Sequence, residues 1–192
     1  MAKLYFRFGA MNCGKTTALL QVAHNYEEKG MNILLIKPKI DKKGENKVVS
    51  RLGIGRKVDV LVDTDEKLKD LLKLDNISCI LVDEVQFMTK EQIKELWIIA
   101  KTKDIPVICY GLKTNFKGEL FEGSKPIIVL ADELEELITI CKCGKRAKFN
   151  ARIINGECVN DGEEVAIDGI DATYEPLCGK CYIENVLGID SF

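Results

Sequence analysis

Surplus charge is nearly absent from this chain, in which 28 Lys and Arg stand against 30 Asp and Glu, a net of -2 over 192 residues. Contacts to phosphate backbones and anionic headgroups need clustered Lys and Arg, so the balance offers no footprint for nucleic acid or a membrane surface. Long apolar runs are missing too, and nothing approaches the roughly 18–20 residues of a membrane span. The start, MAKLYFRFGAMNCGK, has neither a continuous apolar stretch nor a small-residue cleavage site, so no export signal is expected. Histidine occurs once; His24 falls mid-helix with no partner in sequence and reads as structural or solvated. Internal repeats, low-complexity tracts and Ser/Gly linkers are not seen. What is present is 46% hydrophobic and 30% charged, a globular composition long enough for a real core. Disorder, collagen-like repetition and disulfide mini-proteins are excluded on that ground. The eight Cys, without an export signal, are expected as reduced thiols of a cytoplasmic protein, and their clustering suggests a metal.

To about residue 130, strand and helix patterns alternate. Lys3–Phe8 reads as a strand, Lys15–Lys29 as a helix stopped by Gly30, and NILLIK (Asn32–Lys37) as a strand covered on both faces. Pro38–Gly55 is polar, basic and Gly-dotted, and reads as a mobile loop. Val58–Val62 (strand), Thr64–Leu74 (helix), Ile77–Val82 (buried strand), Thr89–Thr102 (helix) and Ile105–Tyr110 (buried strand) follow. Such alternation predicts right-handed βαβ units around a mainly parallel sheet. Beyond Cys141 the chain turns Cys- and Gly-rich, irregular and net acidic. The expected organisation is a nucleotide-binding α/β domain over 1–140, closely packed against a small metal-stapled lobe over 141–192.

Gly9-Ala10-Met11-Asn12-Cys13-Gly14-Lys15-Thr16 matches G-x-x-x-x-G-K-[ST] in full, between a strand and a helix pattern. Glycines let the backbone N–H groups surround phosphate oxygens, and the following helix turns its positive end to the same anion. Lys15 is expected on the β- and γ-phosphates and Thr16 on Mg²⁺. The chain is therefore expected to bind a nucleoside triphosphate.

Ile77–Val82 runs straight into Asp83-Glu84. Carboxylates at the C-terminal end of a buried strand lie at the edge where α/β folds bind ligands. Asp83 is expected to hold Mg²⁺, and Glu84 to accept a proton from water, as in an ATPase, or from a substrate hydroxyl, as in a kinase.

Cys141-x-Cys143 and Cys178-x-x-Cys181 are two close-spaced pairs. Four thiolates suit tetrahedral Zn²⁺, and with all four positions filled by protein the site would be structural. A redox pair or unrelated buried thiols are the competing readings. Cys79 and Cys109 sit in buried strand patterns as small hydrophobes, Cys158 reads blandly, and Cys13 is tolerated within the phosphate loop.

Together GAMNCGKT, VDEVQF, YGLKTNF and the paired cysteines resemble the type II (cytosolic-type) thymidine kinase family, over nearly the whole chain. LLQVAHNYEEKG, LLIKPKID, VVSRLGIG and ELFEGSK are similar to further segments of that family. The resemblance implies an α/β fold of the P-loop NTPase type with a small C-terminal zinc-binding lobe. It also implies transfer of the ATP γ-phosphate to the 5′-hydroxyl of thymidine or deoxyuridine. Mg²⁺ with ATP, a structural Zn²⁺, a homotetramer and feedback inhibition by thymidine triphosphate (dTTP) come with it.

Carried over, the phosphate site is Gly9, Ala10, Met11, Asn12, Cys13, Gly14, Lys15 and Thr16, with Asp83, Glu84, Val85 and Gln86 as a second nucleotide contact. Thr16 and Asp83 would hold Mg²⁺, and Glu84 would be the general base. Met11, Leu112 and Phe116 would line the base pocket, Phe116 against the thymine, with Arg51 from the basic loop. A lasso between the Cys pairs would grip thymine through Val165, Ala166, Ile167, Asp168 and Gly169, with Tyr174 near the sugar or base. Family lassos often read Ile-Gly-Gly, where this chain has Ile167-Asp168-Gly169-Ile170. The resemblance also assigns Cys141, Cys143, Cys178 and Cys181 to zinc. Two other classes share some of these features. One is a P-loop ATPase whose zinc lobe binds nucleic acid, disfavoured by the missing basic cluster. The other is a non-catalytic nucleotide-binding regulator, disfavoured by the presence of both Lys15 and Glu84.

Overall fold

The computed structural model describes residues 1–41, 44, 46–162 and 172–189. In chain order its first part comprises β1 (Leu4–Phe8), α1 (Lys15–Glu27), β2 (Asn32–Pro38), β3 (Lys47–Val49), β4 (Gly55–Lys57) and β5 (Val60–Val62). Then come α2 (Leu68–Leu71), β6 (Ile77–Val82), α3 (Lys90–Thr102), β7 (Val107–Gly111), α4 (Ser124–Leu130) and β8 (Glu133–Glu136). Among the described residues, six of these strands form a parallel sheet in the order β5-β2-β6-β7-β1-β8.

Strand period two explains the layering, because successive side chains of each strand enter opposite cores. Leu4, Phe6, Ile80 and Val82 pack with Ile93, Leu96, Ile99 and Ile127 of α3 and α4. Cys79, Leu81, Ile33 and Leu35 pack with Leu19, Leu20 and Ala23 of α1 on the other face. Since all six strands run the same way, the ends of β1, β6 and β7 meet at one edge, and that edge carries the site.

Three departures from the sequence expectations have local causes. The helix expected over Thr64–Leu74 is only the single turn Leu68–Leu71. The Asp63 and Glu66 carbonyls accept from Gln92 Nε2 at 2.7 and 2.8 Å, and the Leu68 N–H donates to Glu95 at 2.7 Å, so tertiary partners replace helical ones. Gln92 also closes a capping box with Thr89 at the start of α3, which therefore starts as expected. The basic Pro38–Gly55 stretch contains β3, which pairs with β4 as an antiparallel hairpin. Arg56 pins that hairpin through ion pairs of 2.9 Å to Glu27 of α1 and 2.9 Å to Asp59. Finally, Glu133–Glu136 is an edge strand whose acidic run shows no apolar alternation, so pattern alone did not mark it.

The C-terminal part is antiparallel. β9 (Thr139–Ile140) pairs with β10 (Arg146–Ala147), while β11 (Phe149–Ile154) lies between β12 (Glu157–Val159) and β13 (Ala172–Leu177). The short helix α5 (Gly179–Tyr182) follows. Its small core joins Cys141, Ala147, Ala151, Leu177, Cys178 and Tyr182. Among the described residues no helix is long and apolar enough to cross a membrane.

Candidate active site and metal centre

β1 delivers the phosphate loop. A Cβ on Gly9 would collide with the Leu137 carbonyl oxygen and lie 2.6 Å from the Cys13 sulfur, so only glycine fits there. Asn12 and Gly14 both take positive φ, and α1 starts at Lys15 directly behind them. The Lys15 ammonium lies along the loop, donating to the carbonyls of Ala10 at 3.0 Å and Gly9 at 3.3 Å.

β6 delivers the two carboxylates. Asp83 is buried, whereas Glu84 is half-buried in a left-handed conformation (φ 50°, ψ 44°), uncommon for a residue with a side chain. Burial first, then the neighbouring Glu84 and Asp41 carboxylates, push the Asp83 carboxyl well above the usual carboxylate range. Thr16, Asp41, Asp83 and Glu84 share a recess of about 50 Å³ beside the loop. Asp41 is paired with the buried Lys37 ammonium at 3.1 Å, and the Thr16 hydroxyl with the Asp83 and Glu84 carboxylates are oxygen donors of the kind Mg²⁺ takes.

Gln86, expected as a nucleotide contact, makes two hydrogen bonds within the chain. It is buried, its Nε2 donates to Glu84 Oε2 at 2.7 Å, and its Oε1 accepts from the Leu112 N–H at 3.0 Å. One amide thus orients the Glu84 carboxylate and ties it to the end of β7. Val85, also expected on the nucleotide, is fully buried among core residues.

A cavity of about 680 Å³ brings many of the expected residues together: Met11, Asn12, Gly14, Lys15, Thr16, Arg51, Glu84 and Leu112 all line it. Thr17, Ala18, Gln21, Val49 and Leu52 complete the described lining. Phe116 and Tyr174 are not in that lining. Phe116 is buried on a tight turn built by Asn115, whose Oδ1 accepts from Lys117 N and Glu119 N, each at 3.0 Å. The Arg152 guanidinium lies over the Phe116 ring, 3.8 Å from its centroid, and Arg152 Nε donates to the half-buried Tyr174 hydroxyl at 3.0 Å. Val165, Ala166, Ile167, Asp168 and Gly169 lie outside the described residues.

The four lobe cysteines converge. The sulfurs of Cys141, Cys143, Cys178 and Cys181 lie within 4.8 Å of one another, and the Cys143–Cys178 pair is 3.5 Å apart. Thiolates about 2.3 Å from a tetrahedral Zn²⁺ sit about 3.8 Å apart, so the cluster has the size of a structural zinc site. Gly144, at φ +82°, allows the turn that returns the chain to β10 beneath the first pair. Burial opposes the Cys141 thiolate, but the N–H groups of Cys143 and Cys178 outweigh it and lower that thiol below its ordinary range. The Cys181 N–H lowers Cys178, while contacts with the Cys143 and Cys178 sulfurs push Cys181 up. Such mutual opposition among thiols is what a divalent cation removes. Cys79 and Cys109 take their expected places in buried strands, β6 and β7, where burial pushes both thiols up. His24 is exposed on α1.

Asn150, on β11, carries no sequence signal of its own. It is buried, and its Oδ1 accepts from the Met11 N–H at 2.7 Å, a contact across 139 positions of chain. Only the fold makes it part of the site.

Comparison with known proteins agrees with this geometry. A protein-family model described as thymidine kinase matches residues 2–182. A protein of Shewanella oneidensis named thymidine kinase is 46% identical over 191 residues, covering 97% of this chain and 99% of that protein. A Francisella tularensis protein of the same name is 44% identical, with 97% and 99% covered, and one from Rhodopirellula baltica is 44% identical, with 97% and 90% covered.

Proposed function

Because the chain belongs to the thymidine kinase family, we propose that it transfers the γ-phosphoryl group of ATP to the 5′-hydroxyl of thymidine, and also of deoxyuridine. The observation that carries this reading is the shared lining of one cavity. Lys15 and Thr16 at the start of α1, Glu84 after β6, and Met11 and Leu112 all line it. A donor phosphate on the loop and an alcohol near Glu84 would meet there without crossing solvent.

In this mechanism Lys15 exchanges the carbonyls of Gly9 and Ala10 for phosphate oxygens, and the loop N–H groups hold the rest of the chain of phosphates. Thr16 and Asp83 would hold Mg²⁺, which supplies charge neutralisation on the transferring group. Glu84, aimed by Gln86, accepts the 5′-hydroxyl proton as the hydroxyl oxygen bonds to the γ-phosphorus and the bond from that phosphorus to the β,γ-bridging oxygen breaks, releasing ADP. The Cys141, Cys143, Cys178 and Cys181 thiolates would hold a structural Zn²⁺, removed from the chemistry. A homotetramer is the assembly that accompanies this reading, and sedimentation measures it. A kinase assay against a panel of nucleosides tests the function directly. Thymidine-dependent conversion of ATP to ADP is expected, whereas stimulation by single-stranded DNA in place of thymidine would overturn it.

Phe116 belongs to the thymidine side in this reading. Phe116→Ala removes the ring under Arg152 and is expected to raise the thymidine KM about tenfold or more, with a much smaller change for ATP. Equal effects on the two constants would make Phe116 a core residue only.

End-product control follows from the single cleft. Thymidine triphosphate could place its base in the nucleoside pocket and run its phosphates into Gly9–Thr16, gaining from two covalently linked anchors. Inhibition relieved by excess thymidine and by excess ATP is expected, with thymidine monophosphate far weaker. Initial-rate measurements decide it: no inhibition would refute it, and relief by thymidine alone would mean that the inhibitor's phosphates do not occupy Gly9–Thr16.

A further inference from the structure

Two hydrogen bonds join the cysteine-rich lobe to the phosphate loop and to the Phe116 turn, which the kinase reading assigns to the thymidine side. On the phosphate side, Asn150 Oδ1 accepts from the Met11 N–H at 2.7 Å. That N–H belongs to the loop expected to wrap phosphates, and the asparagine that holds it is 4% exposed. On the acceptor side, the Tyr182 hydroxyl donates to the Phe116 carbonyl at 2.6 Å. Tyr182 is itself buried and follows Cys181 directly.

The two anchors are mechanically one unit. Phe149, the residue before Asn150, stacks on Tyr182 with ring centroids 4.7 Å apart and planes 24° from parallel. The strand carrying Asn150 and the helix carrying Tyr182 are thereby packed against each other, and the Cys178–Cys181 turn precedes the same tyrosine. Asn150 and Phe116 are buried, and a buried acceptor that loses its partner is costly, so each bond holds its backbone segment against the lobe.

We propose that Asn150 and Tyr182 are positioning residues of a brace, Asn150 fixing the phosphate loop and Tyr182 fixing the Phe116 turn, so that the lobe sets the gap across which the phosphoryl group moves. The proposal rests on the kinase reading for what lies on each side of that gap. A displacement of about 1 Å between reacting groups costs roughly a hundredfold in rate, so a brace of this kind matters without touching either substrate.

The test is a crossover in the full-length protein, with binding of a non-hydrolysable ATP analogue and of thymidine measured by calorimetry and amide exchange followed at Met11. Asn150→Ala is expected to weaken the analogue about tenfold, weaken thymidine by a smaller factor because Met11 also lines the shared cavity, and speed exchange at the Met11 N–H. Tyr182→Phe, which loses one oxygen and keeps the stacked ring, is expected to do the converse, with Met11 exchange unchanged. Both should lower turnover. Unchanged analogue binding in Asn150→Ala, or equal weakening of both ligands in either variant, would overturn the brace. If Asn150→Ala does not fold, Tyr182→Phe decides alone, and wild-type thymidine affinity in it overturns the proposal. Faster Met11 exchange in Asn150→Ala beside a wild type inactive on thymidine would sink the kinase reading and leave the contact to the loop standing.

Discussion

Glu84→Gln is expected to lower thymidine-dependent turnover by about 10²–10⁴-fold, the usual cost of a missing proton acceptor, while ATP affinity stays within about twofold. The replacement keeps size and shape, and its amide oxygen can still accept from Gln86 Nε2, so the left-handed turn after β6 has no reason to rearrange. What is lost is the negative charge and the basic oxygen at the cavity wall. Lys15→Ala offers the contrast, since it removes the cation that the loop supplies and should damage ATP binding and turnover together. Steady-state kinetics on thymidine combined with direct ATP binding separates the two. Wild-type turnover in Glu84→Gln would remove this residue from the mechanism, and wild-type ATP affinity in Lys15→Ala would count against the loop as the phosphate site.

Replacing Cys141 and Cys178 together by Ser is expected to abolish metal binding, from about one Zn²⁺ per chain to none. One cysteine is removed from each close-spaced pair, and both are buried at the centre of the lobe core. The protein should melt at a lower temperature and bind thymidine poorly. The mechanism is loss of order in the segment between the two pairs, whose two ends the thiolates tie together. Elemental analysis after purification without chelators checks the first statement, and a thermal melt with thymidine titration checks the second. A wild-type protein that carries no zinc under those conditions would refute the metal assignment, whatever the variant does.

Most of the framework was legible in the residues because its signals are local. The phosphate loop is a contiguous pattern whose glycine is required by a close approach at Gly9, and α3 starts at Thr89 through a capping box four residues long. Ile77–Val82 and the NILLIK strand are continuous apolar runs because helices cover both faces of the sheet. The four lobe cysteines were legible as two close-spaced pairs, although only folding brings the pairs within bonding distance of one ion.

Elsewhere tertiary structure decided. Thr64–Leu74 has a helical pattern that yields to one turn, because Gln92 and Glu95 take the backbone groups a longer helix would use. The acidic strand Glu133–Glu136 forms at the sheet edge by pairing with β1, where a backbone ladder on one side forms without any apolar alternation to announce it. Gln86 follows Asp83 and Glu84 closely in sequence, but only the fold gives its buried amide the Leu112 N–H and the Glu84 carboxylate as partners. Asn150 is silent in sequence and becomes part of the site only when β11 meets the phosphate loop. The residue types that do the chemistry are thus readable from short-range pattern, whereas those that aim them act through contacts between distant segments, which no local spacing encodes.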